Sequence, residues 1–193
     1  MKPATSSAAV KRLLRETSQL YAATASGSVA SVVRAAQAMT AALRAGHTIL
    51  WFGNGGSATQ SQHMAAEFVG RFLKERRALP SIALTGNIAN LTAIANDYAY
   101  EQVFSRQVEA LGRPGDVAVG LSTSGNSPNV IAALRAARQR RLTTIGFGRA
   151  TGGAMREVCD IYLGVPSTVT ARIQEVHLTL GHILCGLVED AFI

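Results

Sequence analysis

Beyond Gly46 the chain alternates five short, near-continuous apolar runs with helical segments, and this alternation leaves few folds open to it. The runs are Thr48–Phe52, Ser81–Leu84, Val117–Leu121, Thr144–Phe147 and Ile161–Val165. A strand that is apolar on both faces has to be covered on both faces, as in a parallel sheet between layers of helix. Helical patterns fill the intervals at Ser57–Phe72, Ala89–Ala95 with Glu101–Leu111, Pro128–Arg140, Gly153–Val158 and Thr170–Phe192. The expected fold is α/β: a three-layer, doubly wound domain around a five-stranded parallel sheet. No composition break, repeat or low-complexity segment divides the chain, so 1–193 reads as one domain.

Ahead of the first strand, the residues from about Ser7 to Arg44 read as helix, with a break near Ser26-Gly27-Ser28. In the second piece Val29, Val32, Val33, Ala36, Met39 and Leu43 share one face at the helical period. Ala45-Gly46 supplies a stop. The first piece has little within one domain to pack on. The N-terminal extension, 1–46, is therefore expected to form a helical hairpin placed in an oligomer interface.

Charge narrows the partners without choosing one. The net charge of +7 favours anions of any kind. The densest basic runs, Lys74-Glu75-Arg76-Arg77 and Arg138-Gln139-Arg140-Arg141, each follow a helical pattern, where cations suit the negative end of the helix dipole. They read as solvated helix ends, and no nucleic-acid surface is expected. No segment is long and apolar enough to span a membrane. Lys11, Arg12, Arg15 and Glu16 interrupt the stretch through Ala22, which therefore does not read as a signal peptide. Cys159 and Cys185 form no CxxC pair and read as buried free thiols, and the expected location is cytoplasmic.

Three groups of residues carry chemistry. The first strand runs into Gly53-Asn54-Gly55-Gly56-Ser57-Ala58 before a helix. Ligands of open α/β sheets bind beyond the carboxyl ends of the strands. Glycines there admit a close ligand, and the helix offers free N–H groups. The plainer reading is a tight turn capped by Ser57. The third strand runs into Ser122-Thr123-Ser124-Gly125-Asn126-Ser127-Pro128. Ser127 suits an N-cap and Pro128 the first helical position. Capping leaves Ser122, Thr123, Ser124 and Asn126 unexplained, whereas a phosphate at the helix N-terminus would use them all. The loop lacks the Gly-Lys-Ser/Thr signature of a nucleotide-binding P-loop.

The third group lies on helices. His63 and Glu67 are four residues apart on one helical face; Gln174 and His182, eight apart, share a face of another. Such residues can bind a metal or act as acid and base, or can be a surface His–Glu pair and a core histidine. His182 has apolar neighbours in Leu178, Leu180, Ile183 and Leu184, and His177 reads as structural.

With these residues in place, the chain resembles the sugar isomerase (SIS) domain family, and within it the phosphoheptose isomerases. The motifs are GNGGSA at Gly53–Ala58, QHMAAEF at Gln62–Phe68, AIANDYAYEQVFSRQVEALG at Ala93–Gly112, GDVAVGLSTSGNSPNV at Gly115–Val130 and RIQEVHLTLGH at Arg172–His182. The resemblance implies a flavodoxin-like sheet and a homotetramer with active sites shared between subunits. It implies an aldose–ketose isomerase acting on a phosphorylated seven-carbon sugar, D-sedoheptulose 7-phosphate, for bacterial heptose biosynthesis. It also implies roles: Glu67 and His182 as the acid–base pair, and Ser122, Thr123, Ser124 and Ser127 around the phosphate. Asn54, Gly55, Ser57, Asp97 and Gln174 would line the rest of the substrate site, and His63, Glu67, Gln174 and His182 would hold Zn2+. Ala171 departs from members that carry an acid before Arg-Ile-Gln. A non-catalytic regulator of replication initiation has a similar fold and loops but lacks the glutamate and histidine of the pair; an isomerase or binder of another phosphosugar is the further alternative.

Overall fold

The computed structural model describes residues 6–193. The first five residues, which belong to the expected N-terminal extension and to the domain read over 1–193, lie outside them. Strands β1 (Ile49–Gly53), β2 (Ser81–Ala83), β3 (Val117–Leu121), β4 (Thr143–Arg149) and β5 (Ile161–Val165) form one sheet in the order β2-β1-β3-β4-β5. Every pairing is parallel. β1 and β3 pair from Ile49 with Val117 to Gly53 with Leu121, so they end at one level and their following loops stand side by side. Both strands are buried throughout.

Neighbouring residues of a strand point to opposite faces. Trp51 therefore joins Met39, Phe68, Phe147 and Leu180 in one core, under helices α1 (Ser7–Arg44), α2 (Gly56–Val69) and α6 (Thr170–Glu189). Phe52 joins Phe104, Val108 and Leu134 in the other, under α3 (Ile88–Asp97), α4 (Ser105–Leu111) and α5 (Pro128–Gln139). This is the expected three-layer arrangement, and the strands lie within one or two residues of the apolar runs.

Four expectations are corrected. α1 is one continuous helix of 38 residues, with no break at Ser26-Gly27-Ser28 and so no hairpin. A helical glycine costs about 1 kcal/mol relative to alanine, and packing here outweighs that. Thr24 and Ser28 are buried, and Ser28 Oγ donates to the carbonyl of Gly164 on β5 at 3.2 Å. The buried face of α1 is also rotated from the expected one: Val32, Ala35, Ala36, Met39, Ala42 and Leu43 are covered, while Val29 and Val33 are exposed. Gly153–Val158 is 3-10 rather than α-helix, entered through Gly152 and Gly153 at φ 85° and 57°. Arg76, expected in a solvated basic run, is buried: its guanidinium donates to the carbonyls of Glu67, Phe68 and Gly70 and so ends α2 at Val69 rather than Phe72.

Both cysteines are free; Cys185 is buried and Cys159 half-buried. Burial, the largest influence on each, pushes both thiols up to about 12. Among the described residues no helix is long and apolar enough to cross a membrane.

Candidate active site

The order of the strands reverses at β1 and β3: the chain passes from β1 outward to β2, then returns to β3 on the other side. Ligands of such sheets bind in the crevice at that reversal, beyond the carboxyl ends of the strands. Two of the three residue groups meet there.

The loop after β1 is pressed against β3. A Cβ on Gly53 would lie 2.8 Å from Ser57 Cβ and 2.9 Å from the carbonyl oxygen of Leu121, so only glycine lets the chain turn here. Gly55, at φ 55°, is the N-cap of α2. Ser57, expected as the cap, is instead buried in the first turn. Asn54 is fixed by three hydrogen bonds. Its Nδ2 donates to Asn129 Oδ1 at 2.8 Å, and its Oδ1 accepts from Asn129 Nδ2 at 2.8 Å and from Tyr100 Oη at 3.0 Å. Asn129 is itself buried in the first turn of α5. The amide pair therefore ties the glycine loop to the serine loop.

In the serine loop Ser122 Oγ is 2.8 Å from Ser127 Oγ and 3.4 Å from Ser124 Oγ. Ser124 Oγ accepts from the N–H of Asn126 at 3.1 Å. Gly125 takes φ 68°, a left-handed conformation, and its N–H donates to the carbonyl of Ser122. Ser127 holds the N-cap position with Pro128 following, but its hydroxyl makes no cap bond and turns to Ser122 instead. Three hydroxyls thus gather at the positive end of a 12-residue helix, with Ser124 exposed and Thr123 half-buried beside them.

The third group forms at the seam of α2 and α6. His63 Nε2 lies 2.8 Å from His182 Nε2 and 3.4 Å from Glu67 Oε1. One imidazole must carry its proton on Nε2 while the other offers a lone pair. One ligand atom from each of His63, Glu67 and His182 falls within 4.8 Å of the others, close enough for one metal ion. The ring of Phe72 stacks on His182 at 5.4 Å and 23°. The i, i+4 spacing of His63 and Glu67 supplies one side of this cluster, and only the packing of two distant helices supplies the other.

Gln174 stands two turns before His182. Its amide lies against Gly56 in the glycine loop, and its carbonyl accepts from Gln60 Nε2 at 2.7 Å. Asp97 ends α3, exposed, with Oδ1 accepting from Asn96 Nδ2 at 2.9 Å. His177 is buried, edge-on to Phe147, with Nδ1 unpartnered; burial lowers it to about 4, so it is neutral as a structural histidine should be.

Asn129, Tyr100 and Phe72 escaped the sequence reading as site residues. An asparagine in a first helical turn resembles a cap, and an aromatic after a helix resembles core. No spacing in the chain announces that they touch Asn54 or His182.

A family model described as SIS domain matches residues 13–148. The phosphoheptose isomerase of Rhodospirillum rubrum is 56% identical over 161 residues, covering 83% of this chain and 86% of that one. Among solved structures, the phosphoheptose isomerase from Neisseria gonorrhoeae superposes with a TM-score of 0.89 at 42% identity, over 94% of this chain and 97% of that one. That from Francisella tularensis gives 0.90 at 35% identity, over 94% and 96%.

Proposed function

The chain belongs to the SIS domain family and, within it, to the phosphoheptose isomerases, and from that premise we propose that it interconverts D-sedoheptulose 7-phosphate and D-glycero-D-manno-heptose 7-phosphate for heptose biosynthesis. The observation that carries the reading is the convergence of Glu67, His63 and His182 at one seam, together with a hydroxyl-lined helix N-terminus at the strand reversal.

Ser122, Thr123, Ser124 and Ser127 bind the phosphate; neutral donors at a helix N-terminus suit a dianion. Asn54, Gly55, Ser57, Asp97 and Gln174 contact the sugar. Glu67 and His182 are the two proton carriers. In the ketose-to-aldose direction a base takes a proton from C1 and the proton returns at C2, while the hydroxyl proton passes from O1 to O2. The intermediate is an enediol. Each well-placed carrier is worth roughly 10²–10⁴-fold in rate. The same pair argues against a non-catalytic SIS-domain regulator, which would have no use for it.

The His63, Glu67 and His182 donors, two imidazoles and a carboxylate, are of the types zinc accepts, and their ligand atoms already converge. These three residues would hold the ion; the amide of Gln174, the fourth expected ligand, lies against Gly56 two turns of α6 from His182, so within one chain it is not placed to join them. A bound Zn2+ would supply Lewis acidity toward the sugar carbonyl.

The active form is a homotetramer with shared active sites. Tyr21, Val29 and Val33 of α1 and Leu180, Ile183 and Leu187 of α6 line an apolar groove that one chain leaves open. Glu67 also stands three turns along α2 from Gly56, about 16 Å of helix rise. That separation of the loops from the proton carriers favours a substrate held between two copies. Incubation of the purified protein with sedoheptulose 7-phosphate, following aldose formation, tests the reading; no aldose product would end it.

A further inference from the structure

We propose that Arg76 and Glu189 are positioning residues that hold both proton carriers from one buried ion pair, an inference that rests on the roles given above to Glu67 and His182.

The pair lies behind the catalytic seam. Glu189 is the last residue of α6, seven residues past His182, and Arg76 follows the end of α2; both side chains are 2% exposed. The Glu189 carboxylate accepts from three consecutive backbone N–H groups, those of Phe72, Leu73 and Lys74, at 2.9, 2.8 and 2.9 Å. It lies 3.4 Å from Arg76 Nε. Burial alone would raise this carboxyl. The N–H groups of Leu73, Phe72 and Lys74 and the Arg76 guanidinium outweigh burial and hold it below the usual carboxylate range, so it is ionised.

Both arms of the pair lead to the chemistry. On one side Arg76 Nη2 donates to the carbonyl of Glu67 itself at 2.7 Å, and Nη1 donates to Phe68 and Gly70 at 2.9 Å. The backbone that carries the Glu67 carboxylate is thereby clamped. On the other side Glu189 fixes the N–H of Phe72, whose ring stacks on His182 at 5.4 Å. Desolvating two charges is costly, and an apolar pair of similar size often stabilises a fold as well or better. What an apolar pair could not supply is a fixed spacing between Glu67 and the imidazole it works with. Misplacing a reacting group by about 1 Å can cost on the order of 10²-fold in rate.

The test uses the full chain with Glu189→Gln, Phe72→Leu and their combination, assayed well below each melting temperature. Glu189→Gln should lower kcat by about tenfold to a hundredfold with KM little changed. The double variant should be about as slow as the slower single one, because both act on His182 along one path. Histidine labelled with 13C at Cε1 alone gives only four ring signals. The His182 signal, shielded by the Phe72 ring, should shift the same way in both single variants. If Glu189→Gln does not fold, Arg76→Lys, which keeps the charge but not the fork, takes its place in both measurements. An unmoved His182 signal overturns the proposal whatever the rates do, and so does an unchanged kcat per folded molecule. If the wild type makes no aldose from sedoheptulose 7-phosphate, the functional reading falls, while the His182 signal still decides whether the pair positions that ring.

Discussion

His177→Leu should flatten the acid side of the stability profile without unfolding the protein. His177 is 2% exposed, and its Nε2 has one long contact, 3.5 Å to the carbonyl of Gly148, while Nδ1 has no partner. Burial lowers it to about 4 against 6.5 for a free histidine; the contact with Gly148 opposes this and loses. Between those values the unfolded chain binds a proton that the folded chain refuses, so stability rises with pH across the window. As pH falls from 6.5 toward 4 the stability is lost, and below about 4 the loss is complete. At about 1.4 kcal/mol per pH unit the whole effect is on the order of 3 kcal/mol. Leucine fills a similar space and removes a half-satisfied polar ring, so stability at pH 7.5 should change by less than about 1.5 kcal/mol. Urea titrations from pH 4.5 to 8, at one protein concentration to hold any assembly fixed, would give the difference between wild type and variant at each pH. A difference that stays level across the window would refute the claim that this histidine is buried neutral.

The remaining predictions concern the site. Glu67→Gln and His182→Asn should each reduce turnover by at least about 10²-fold with the fold intact; a folded variant of near-normal activity removes its residue from the mechanism. Ser124→Ala should weaken binding of substrate and of inorganic phosphate with little loss of stability, since the hydroxyl is exposed and bonds only within its own loop; unchanged affinity by calorimetry would count against the phosphate assignment. A chelator should remove one divalent ion per active site without unfolding the protein, with activity falling and then returning on addition of zinc. Elemental analysis of protein purified without a histidine tag checks occupancy, and full activity in metal-free protein would leave Glu67 and His182 as plain acid–base groups. Light scattering should report a homotetramer, and Val33→Glu, in the open groove between α1 and α6, should dissociate it; a fully active monomer at micromolar concentration would sink the shared-site reading.

The sequence alone determined the layers and the loops. Runs such as Val117–Leu121, apolar at every position, short and alternating with helical segments, read as strands covered on both sides, and the observed strand has those same limits. The glycine loop was legible as either a tight turn or a ligand loop, and the serine loop stood out because capping left Ser122, Thr123, Ser124 and Asn126 unexplained. Their motifs, with those around Glu67 and His182, also placed the chain in its family. Tertiary structure decided the rest, and in each case because a partner far along the chain outweighed a local preference. Gly27 should interrupt a helix, yet Ser28 reaching the carbonyl of Gly164 on β5 helps keep α1 whole. Ser127 should cap α5 with its side chain, yet Ser122 takes its hydroxyl. Arg76 reads as one more surface cation until Glu189, 113 residues later, is found against it. His63 and His182 are 119 residues apart and become one site only because α2 and α6 pack side by side. Periodicity along a chain records which face of an element is buried. It holds no record of which other element does the burying, and at the seam of α2 and α6 that pairing is what brings His63, Glu67 and His182 together.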